Sequence, residues 1–513
     1  LSYKGGKIMS SKKGSTEKLS ITALILMIFT SVYGFNNMPR SYYLMGYGSI
    51  PFFIIAAILF FIPFAFMMAE YGAAFKNETG GIYSWMEKSV NAKYAFIGTF
   101  MWYTSTVIWM VNVSSGIWVT LSNAIYGTDT TSTWSIFGFG GRQTLALLAV
   151  LWVIFVTFVS TKGIEKIKKI TSVGGTAVAA LNILLILGSI VILIGNGGEL
   201  AQPIVNSTTF MSSPNPDYQS SISILSFMVF ALFAFGGIEV VGGLVDQTDE
   251  PEKNFPKGLA ISAIIIAVGY AVGLFCVGIF TKWDAILGTD GKYGDIVHMG
   301  NVGYLIMNNL GYQFGVTFGA TEAISVQIGN WIARFVGLSM LLALTGAFFT
   351  LTYAPLKQLI SGTPKGLFPD SVAKMKKGMP VNAMIIQAIV VIIMVLLVGF
   401  GGEAMEEFFS ILVAMTNVAM TIPYMFLSGA FISFKRRDEI QKPFQVFKGK
   451  GFIILVTIVV TATVGFANFF SIIEPAMNGD MAKTIWSIAG PIFFSIVALI
   501  LFAKYENNIK KNN

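Results

Sequence analysis

An all-α polytopic membrane protein is the fold class this sequence predicts. It would have twelve transmembrane helices in a five-plus-five inverted repeat, with helices 1 and 6 broken. Three observations carry the prediction: a succession of long apolar segments, a one-sided distribution of Lys and Arg between them, and helix-breaking residues inside the first and sixth.

Of the 513 residues, 54% are hydrophobic and only 12% are charged. Soluble domains carry roughly 25% charged residues, so this composition excludes a soluble enzyme and a disordered scaffold. Stretches longer than ~18 apolar residues are read as bilayer-spanning helices. Twelve are placed at 20–45, 49–73, 94–124, 143–161, 170–195, 221–245, 257–280, 325–358, 381–400, 406–434, 452–472 and 484–503. The corresponding division is a cytoplasmic N-terminal tail (1–19), a first repeat (20–200), a second repeat (201–434), helices 11 and 12 (435–503) and a short cytoplasmic tail (504–513). Residues 1–8 precede Met9 and are set aside. No cleavable signal peptide is expected, because the first apolar segment is too long for one.

Placing both termini inside puts 28 of the 34 Lys and Arg residues on the cytoplasmic side. Arg142, Lys282, Lys292 and Lys483 fall outside, and Arg40 and Arg334 fall within spans. That bias follows the positive-inside rule and predicts a multi-pass plasma-membrane protein, in bacteria the inner membrane. A net charge of +8 spread between spans points to an anionic leaflet and not to nucleic acid. The single cysteine, Cys276, allows no intrachain disulfide.

Span one reads ILMIFTSVYGFNNMPRSYYLMGYG and span six SFMVFALFAFGGIEVVGGLVDQ. Irregular backbone at membrane depth is tolerated where it lines a cavity. Two breaks five helices apart are the mark of an inverted repeat with a midplane substrate site. The chemistry suits a zwitterion. Amides of Val32, Tyr33 and Gly34 would hold a carboxylate, aided by the helix dipole, and carbonyls of Ala234, Phe235 and Gly236, with Gly237, an ammonium. Close packing of small residues is the alternative use of these glycines.

At these residues the sequence resembles the amino acid–polyamine–organocation superfamily, most of all its glutamate/GABA antiporter branch. MMAEYGAAFKNETGGIYSWM (67–86) resembles the family's end of span two. FGGIEVVGGLVDQTDEPEKNFPKG (235–258) resembles span six and the loop after it, and YAPLKQLISGTPKGLFPDSVAKMKKGMP (353–380) the loop from span eight to nine. The resemblance implies a LeuT-like fold and secondary active amino-acid transport by alternating access, with exchange of glutamate for GABA or a related amino acid. An ion-coupled symporter and a transporter-like sensor are the alternatives. A sodium site from span-one carbonyls with Thr345 and Thr350 would serve the symporter. The family's Gly-x-Gly of span one is reduced to Ser31-Val-Tyr-Gly34, and its loop Asn and Arg are Glu250 and Lys253. Its histidine-rich C-terminal plug has no counterpart before Asn513, so proton gating of that kind is not expected.

Single residues follow. Glu239 is an ionisable group at bilayer depth and therefore a functional candidate; the resemblance implies coupling or gating, and bracing the broken helix is the alternative. Trp102 and Phe235 are candidate gates. Asn36 would cap the outer half-helix or touch substrate. Arg334 would attract a substrate carboxylate or pair with Glu322. Arg40 would reach the headgroups by snorkelling. No cofactor, metal or catalytic residue is expected. The expected partners are a small amino acid and the lipid bilayer, and the assembly a monomer or homodimer.

Overall fold

The computed structural model describes residues 18–512. The expected N-terminal tail, apart from its last two residues, lies outside them.

Span one is two helices, α1 (Ile21–Val32) and α2 (Asn37–Met45). Ser20 begins α1 by accepting from the Ala23 amide, the ordinary role of an N-cap hydroxyl. Tyr33 leaves helical geometry at φ −84°, ψ 77°. Pro39 lies in the first turn of α2, where its missing N–H is harmless. Span two is α3 (Ser49–Ala56), a π-helical turn over Ala57–Phe61 and α4 (Ile62–Ala74). A short helix α5 (Ile82–Ser89) precedes the long α6 (Ala92–Tyr126), which Asn91 caps at its start and Gly127, at φ +79°, ends. Spans four and five are α7 (Gly141–Ser160) and α8 (Ile164–Gly195).

Span six is also divided. Helix α9 (Ser221–Phe233) stops, and a 3-10 segment, Ile238–Gln247, resumes after Gly237. Gly237 has φ +109°, a conformation that a Cβ would strain, and a Cβ there would overlap the Ser31 carbonyl. The two breaks are therefore in backbone contact.

The remaining helices are α10 (Pro251–Phe280), the short α11 (Trp283–Ile286), α12 (Val302–Thr317), α13 (Glu322–Gly362), the short α14 (Asp370–Ala373), α15 (Val381–Phe400), α16 (Gly402–Arg436), α17 (Lys450–Met477) and α18 (Met481–Asn512). The stretch NVGYLIMNNLG (301–311), between expected spans seven and eight, falls almost wholly in α12. The expected C-terminal tail continues α18 through 512. Among the described residues there are no strands, only isolated bridges such as Leu19 with Thr248.

A helical element overlies each of the twelve expected spans. By length and composition ten described stretches suffice to cross a membrane. Ile21–Ala74 counts as one of these ten although it holds spans one and two, and α6 is not among them. The chain is a polytopic helical membrane protein. Rows of Ile, Leu, Phe and Val stand exposed on α7, α8, α15, α17 and α18, a surface that only lipid covers without cost.

The interior places α13 against α6, α8 and α12, α1 against α8 and α10, and α16 against α6, α17 and α18. Glycines allow the closest approaches. A Cβ on Gly175 of α8 would overlap the Leu26 carbonyl of α1, whereas one on Gly116 of α6 would meet nothing within 4 Å. Gly175→Ala is therefore expected to cost about 1–3 kcal/mol through overpacking and to lower the thermal unfolding midpoint in detergent. Gly116→Ala should leave it unchanged.

Candidate functional site

A cavity of about 810 Å³ lies where the two broken spans meet. Its inner wall is Thr30, Ser31, Val32 and Gly34 of span one, with Ala234, Gly236, Gly237 and Glu239 of span six. Trp102, Thr106 and Trp109 of α6, Leu344, Ala347 and Leu351 of α13, and Asn417, Thr421 and Tyr424 of α16 complete it. It runs on to Glu474, Asn478, Asp480 and Lys483 at the α17–α18 turn, the side expected to be extracellular.

The freed backbone groups of the breaks are taken up by side chains. Tyr270 of α10 places its hydroxyl between the half-helices, accepting from the Gly34 amide (3.0 Å) and from Asn37 Nδ2 (3.1 Å). It lies within donating distance of the Ala234 carbonyl (3.2 Å). Asn37 Nδ2 also reaches that carbonyl, at 3.4 Å. The Tyr33 amide bonds back to the Phe29 carbonyl (3.0 Å). Of the span-one amides assigned to a ligand, those of Tyr33 and Gly34 are thus already engaged by the protein.

Glu239 is 1% exposed and borders the cavity. One carboxylate oxygen accepts from Trp102 Nε1 (3.0 Å) and the other from the Gly237 amide (3.1 Å). The Tyr424 hydroxyl accepts from the same Gly237 amide (3.1 Å). Among the described residues no cation pairs with Glu239. These bonds fix the carboxyl group at the cavity wall, where a positively charged group in the cavity would meet it directly.

The other expected site residues are distributed as follows. Val32, Gly34, Ala234, Gly236, Gly237 and Trp102 line the cavity with Glu239. Phe235 does not line it; its buried ring stacks on Phe61 (centroids 4.6 Å apart) and meets Tyr270 edge-on. Tyr33 packs edge-on against Tyr270, at 5.0 Å. Asn36 faces Gly303 of α12, and its side-chain Oδ1 is buried without a partner among the described residues. Arg334 lies beside Gly127 and over the Trp331 ring, away from the cavity, and Glu322 bonds Tyr312 (2.8 Å) instead of Arg334. The Thr345 and Thr350 hydroxyls bond carbonyls of their own helix, Leu341 (2.7 Å) and Gly346 (3.1 Å). No group of three metal-ligating side chains gathers among the described residues.

Sequence reasoning missed Tyr270, Tyr424 and Asn417 as site residues and assigned Arg40 to the headgroups, although it borders the cavity. A tyrosine in an apolar helix carries no mark that separates a hydrogen-bonding role from packing.

Toward the side carrying the basic loops, the cavity ends against tightly bonded polar groups. Lys357, 2% exposed, pairs with Asp246 (2.6 Å) and donates to the Gly243 carbonyl (3.0 Å). Gln358 donates to the Val240 carbonyl (3.1 Å) and accepts from the Ile82 amide (2.9 Å). Leu19 exchanges backbone bonds with Gln247 and Asp249, both at the end of span six. Glu70 of α4 accepts from Lys435 (2.7 Å) and from the amides of Val446 and Phe447. The cavity is therefore open toward the α17–α18 turn and sealed on the opposite side.

A cavity at a double helix break, with access from one side and a polar seal on the other, defines a membrane transporter and not an enzyme. The sequence profile described as amino acid permease matches residues 19–497, so the chain belongs to that family, within the amino acid–polyamine–organocation superfamily. It is 50% identical over 498 residues to the inner membrane transporter YjeM of Escherichia coli K12, covering 97% of this chain and 98% of the relative. It is 24% identical to the aspartate/glutamate permease AcaP of Lactococcus lactis subsp. cremoris, covering 85% and 83%. To the glutamate/gamma-aminobutyrate antiporter of Lactococcus lactis subsp. lactis it is 22% identical, covering 90% and 85%. Its substrate is accordingly a small molecule and its surroundings are lipid.

The bridging role of Tyr270 is open to a direct check. Tyr270→Phe keeps the ring but removes the acceptor that the two groups share, leaving the Gly34 amide only the Val32 carbonyl (3.0 Å) and Asn37 Nδ2 only the Ala234 carbonyl (3.4 Å), a loss worth about 0.5–1.5 kcal/mol per bond. A lower unfolding midpoint in detergent is expected, with substrate affinity reduced.

Proposed function

We propose that the protein is a secondary active amino-acid transporter of the bacterial inner membrane, exchanging glutamate, GABA or a related amino acid by alternating access. The observation that carries this reading is the unpaired carboxylate of Glu239 at the cavity between the two broken spans. Trp102 Nε1 and the Gly237 amide donate to it and no cation among the described residues pairs with it, so a substrate ammonium would be its complement. Backbone of Val32, Gly34, Ala234, Gly236 and Gly237 forms the rest of the contact surface, while Tyr33, Asn36 and Phe235 support it from behind. Breaks in spans one and six favour the five-plus-five repeat, with residues 20–200 and 201–434 as its halves.

Exchange requires that the seal around Asp246 and Lys357 open when the outer path closes. A buried ion pair is costly to break, so opening would follow occupation of the cavity, when contacts to substrate offset that cost. An exchanger has this property: the empty carrier returns slowly and the loaded one quickly.

Counterflow in proteoliposomes tests the reading. Vesicles loaded with unlabelled glutamate, GABA or a neutral amino acid are expected to take up labelled glutamate or GABA without any ion gradient. Uptake that appears only once a proton or sodium gradient is imposed would replace exchange by symport. Glu239→Gln puts an amide NH2 group among the Trp102 and Gly237 donors, and it is expected to slow exchange more than it weakens binding. An unaltered turnover in this variant would remove Glu239 from the transport cycle.

A further inference from the structure

The cavity has a second ionisable side chain without an ion-pair partner among the described residues. Arg40 lies on α2, one turn beyond Asn37, and borders the cavity on its outward side. Its Nε donates to the Met299 carbonyl at 2.7 Å. No hydrogen bond or ion pair among the described residues engages its two terminal nitrogens. The guanidinium is thus held at its neck by the segment between α11 and α12, with its fork open. Such a fork matches a carboxylate in two-pronged geometry. The acids nearest the mouth are otherwise engaged: Glu474 accepts from Ser226, and Asp480 from the Lys483 amide.

We propose that Arg40 is the group that holds the substrate's carboxylate, and that the substrate lies between it and Glu239 with its ammonium directed inward. The proposal rests on the transport reading above and names the chemical class it would serve, a zwitterion with at least one free carboxylate. Three features support it. The amides of Tyr33 and Gly34 are bonded within the protein, which leaves a carboxylate in need of another donor. The other intramembrane arginine, Arg334, lies over Trp331 away from the cavity. Among the described residues an arginine without an anionic partner and a glutamate without a cationic one border the same cavity, so a bound zwitterion offers a partner to each. Arg40 also joins α2 to the outer loop through Met299, which would let carboxylate binding draw that loop over the mouth.

The test sets acids against their own primary amides, which keep size and ammonium but lose the negative charge. Competition for binding to purified protein would use glutamate, GABA and leucine against glutaminamide (both carboxylates amidated), 4-aminobutanamide and leucinamide. Wild type is expected to prefer at least one acid over its amide. Arg40→Gln should weaken that acid roughly 10- to 100-fold, the range of a charge-assisted hydrogen bond, while the amide changes little. Arg40→Lys should restore part of the difference. A merely structural role through Met299 would weaken acid and amide alike and overturn the proposal. So would an acid preference that survives in Arg40→Gln. Wild-type protein that binds none of the six compounds would overturn the transport reading itself and the Arg40 assignment with it.

Discussion

Backbone that leaves a helix inside hydrocarbon must find its hydrogen bonds elsewhere, and the rest of this structure is arranged around that constraint. Each unsatisfied group there costs several kcal/mol, and spans one and six both stop midway. Tyr270 answers for the Gly34 amide and the Ala234 carbonyl together, and Glu239, with Trp102 and Tyr424, for the Gly237 amide. The two breaks are thus satisfied jointly, by side chains from α6, α10 and α16. A change in the angle between the spans has to pass through these few bonds.

The charges follow a similar division. On the side of the basic loops every buried charge is paired: Lys357 with Asp246, and Lys435 with Glu70. At the cavity Glu239 and Arg40 are unpaired among the described residues. A buried ion pair holds its partners firmly, whereas an ionisable group at a cavity wall without such a partner is ready for a ligand. The protein is thereby tight where it must seal and incomplete where it binds.

Much of the architecture was legible in the sequence because the membrane imposes simple rules. Apolar length located each span, and Gly34, Asn36, Pro39, Gly236 and Gly237 located both breaks. The placement of side chains around the breaks was less legible. A four-residue interruption has no periodicity, so nothing in the sequence indicates that Phe235 turns toward Phe61 while Ala234 and Gly236 face the cavity. Arg40 and Arg334 look alike as isolated arginines in apolar spans; the distinction comes from packing, since α13 carries Arg334 toward Gly127. Tyr270 and Tyr424 are concealed for another reason: their rings pack as any aromatic does, and only the positions of their hydroxyls disclose a role.

The central claim is that the cavity between the breaks is where the transported amino acid sits. Ala347 borders it on α13, next to Gly346, where a Cβ would lie 3.2 Å from the Thr30 side chain of span one. Cys276, the single cysteine, is buried, so Ala347→Cys in a Cys276→Ala background gives one addressable thiol. The most direct measurement is the rate at which a membrane-impermeant thiol reagent modifies it in oriented vesicles, with and without a counterflow substrate. The account predicts modification from the side of the α17–α18 turn, slowed when that substrate is present. Modification at the same rate with and without the substrate would contradict it.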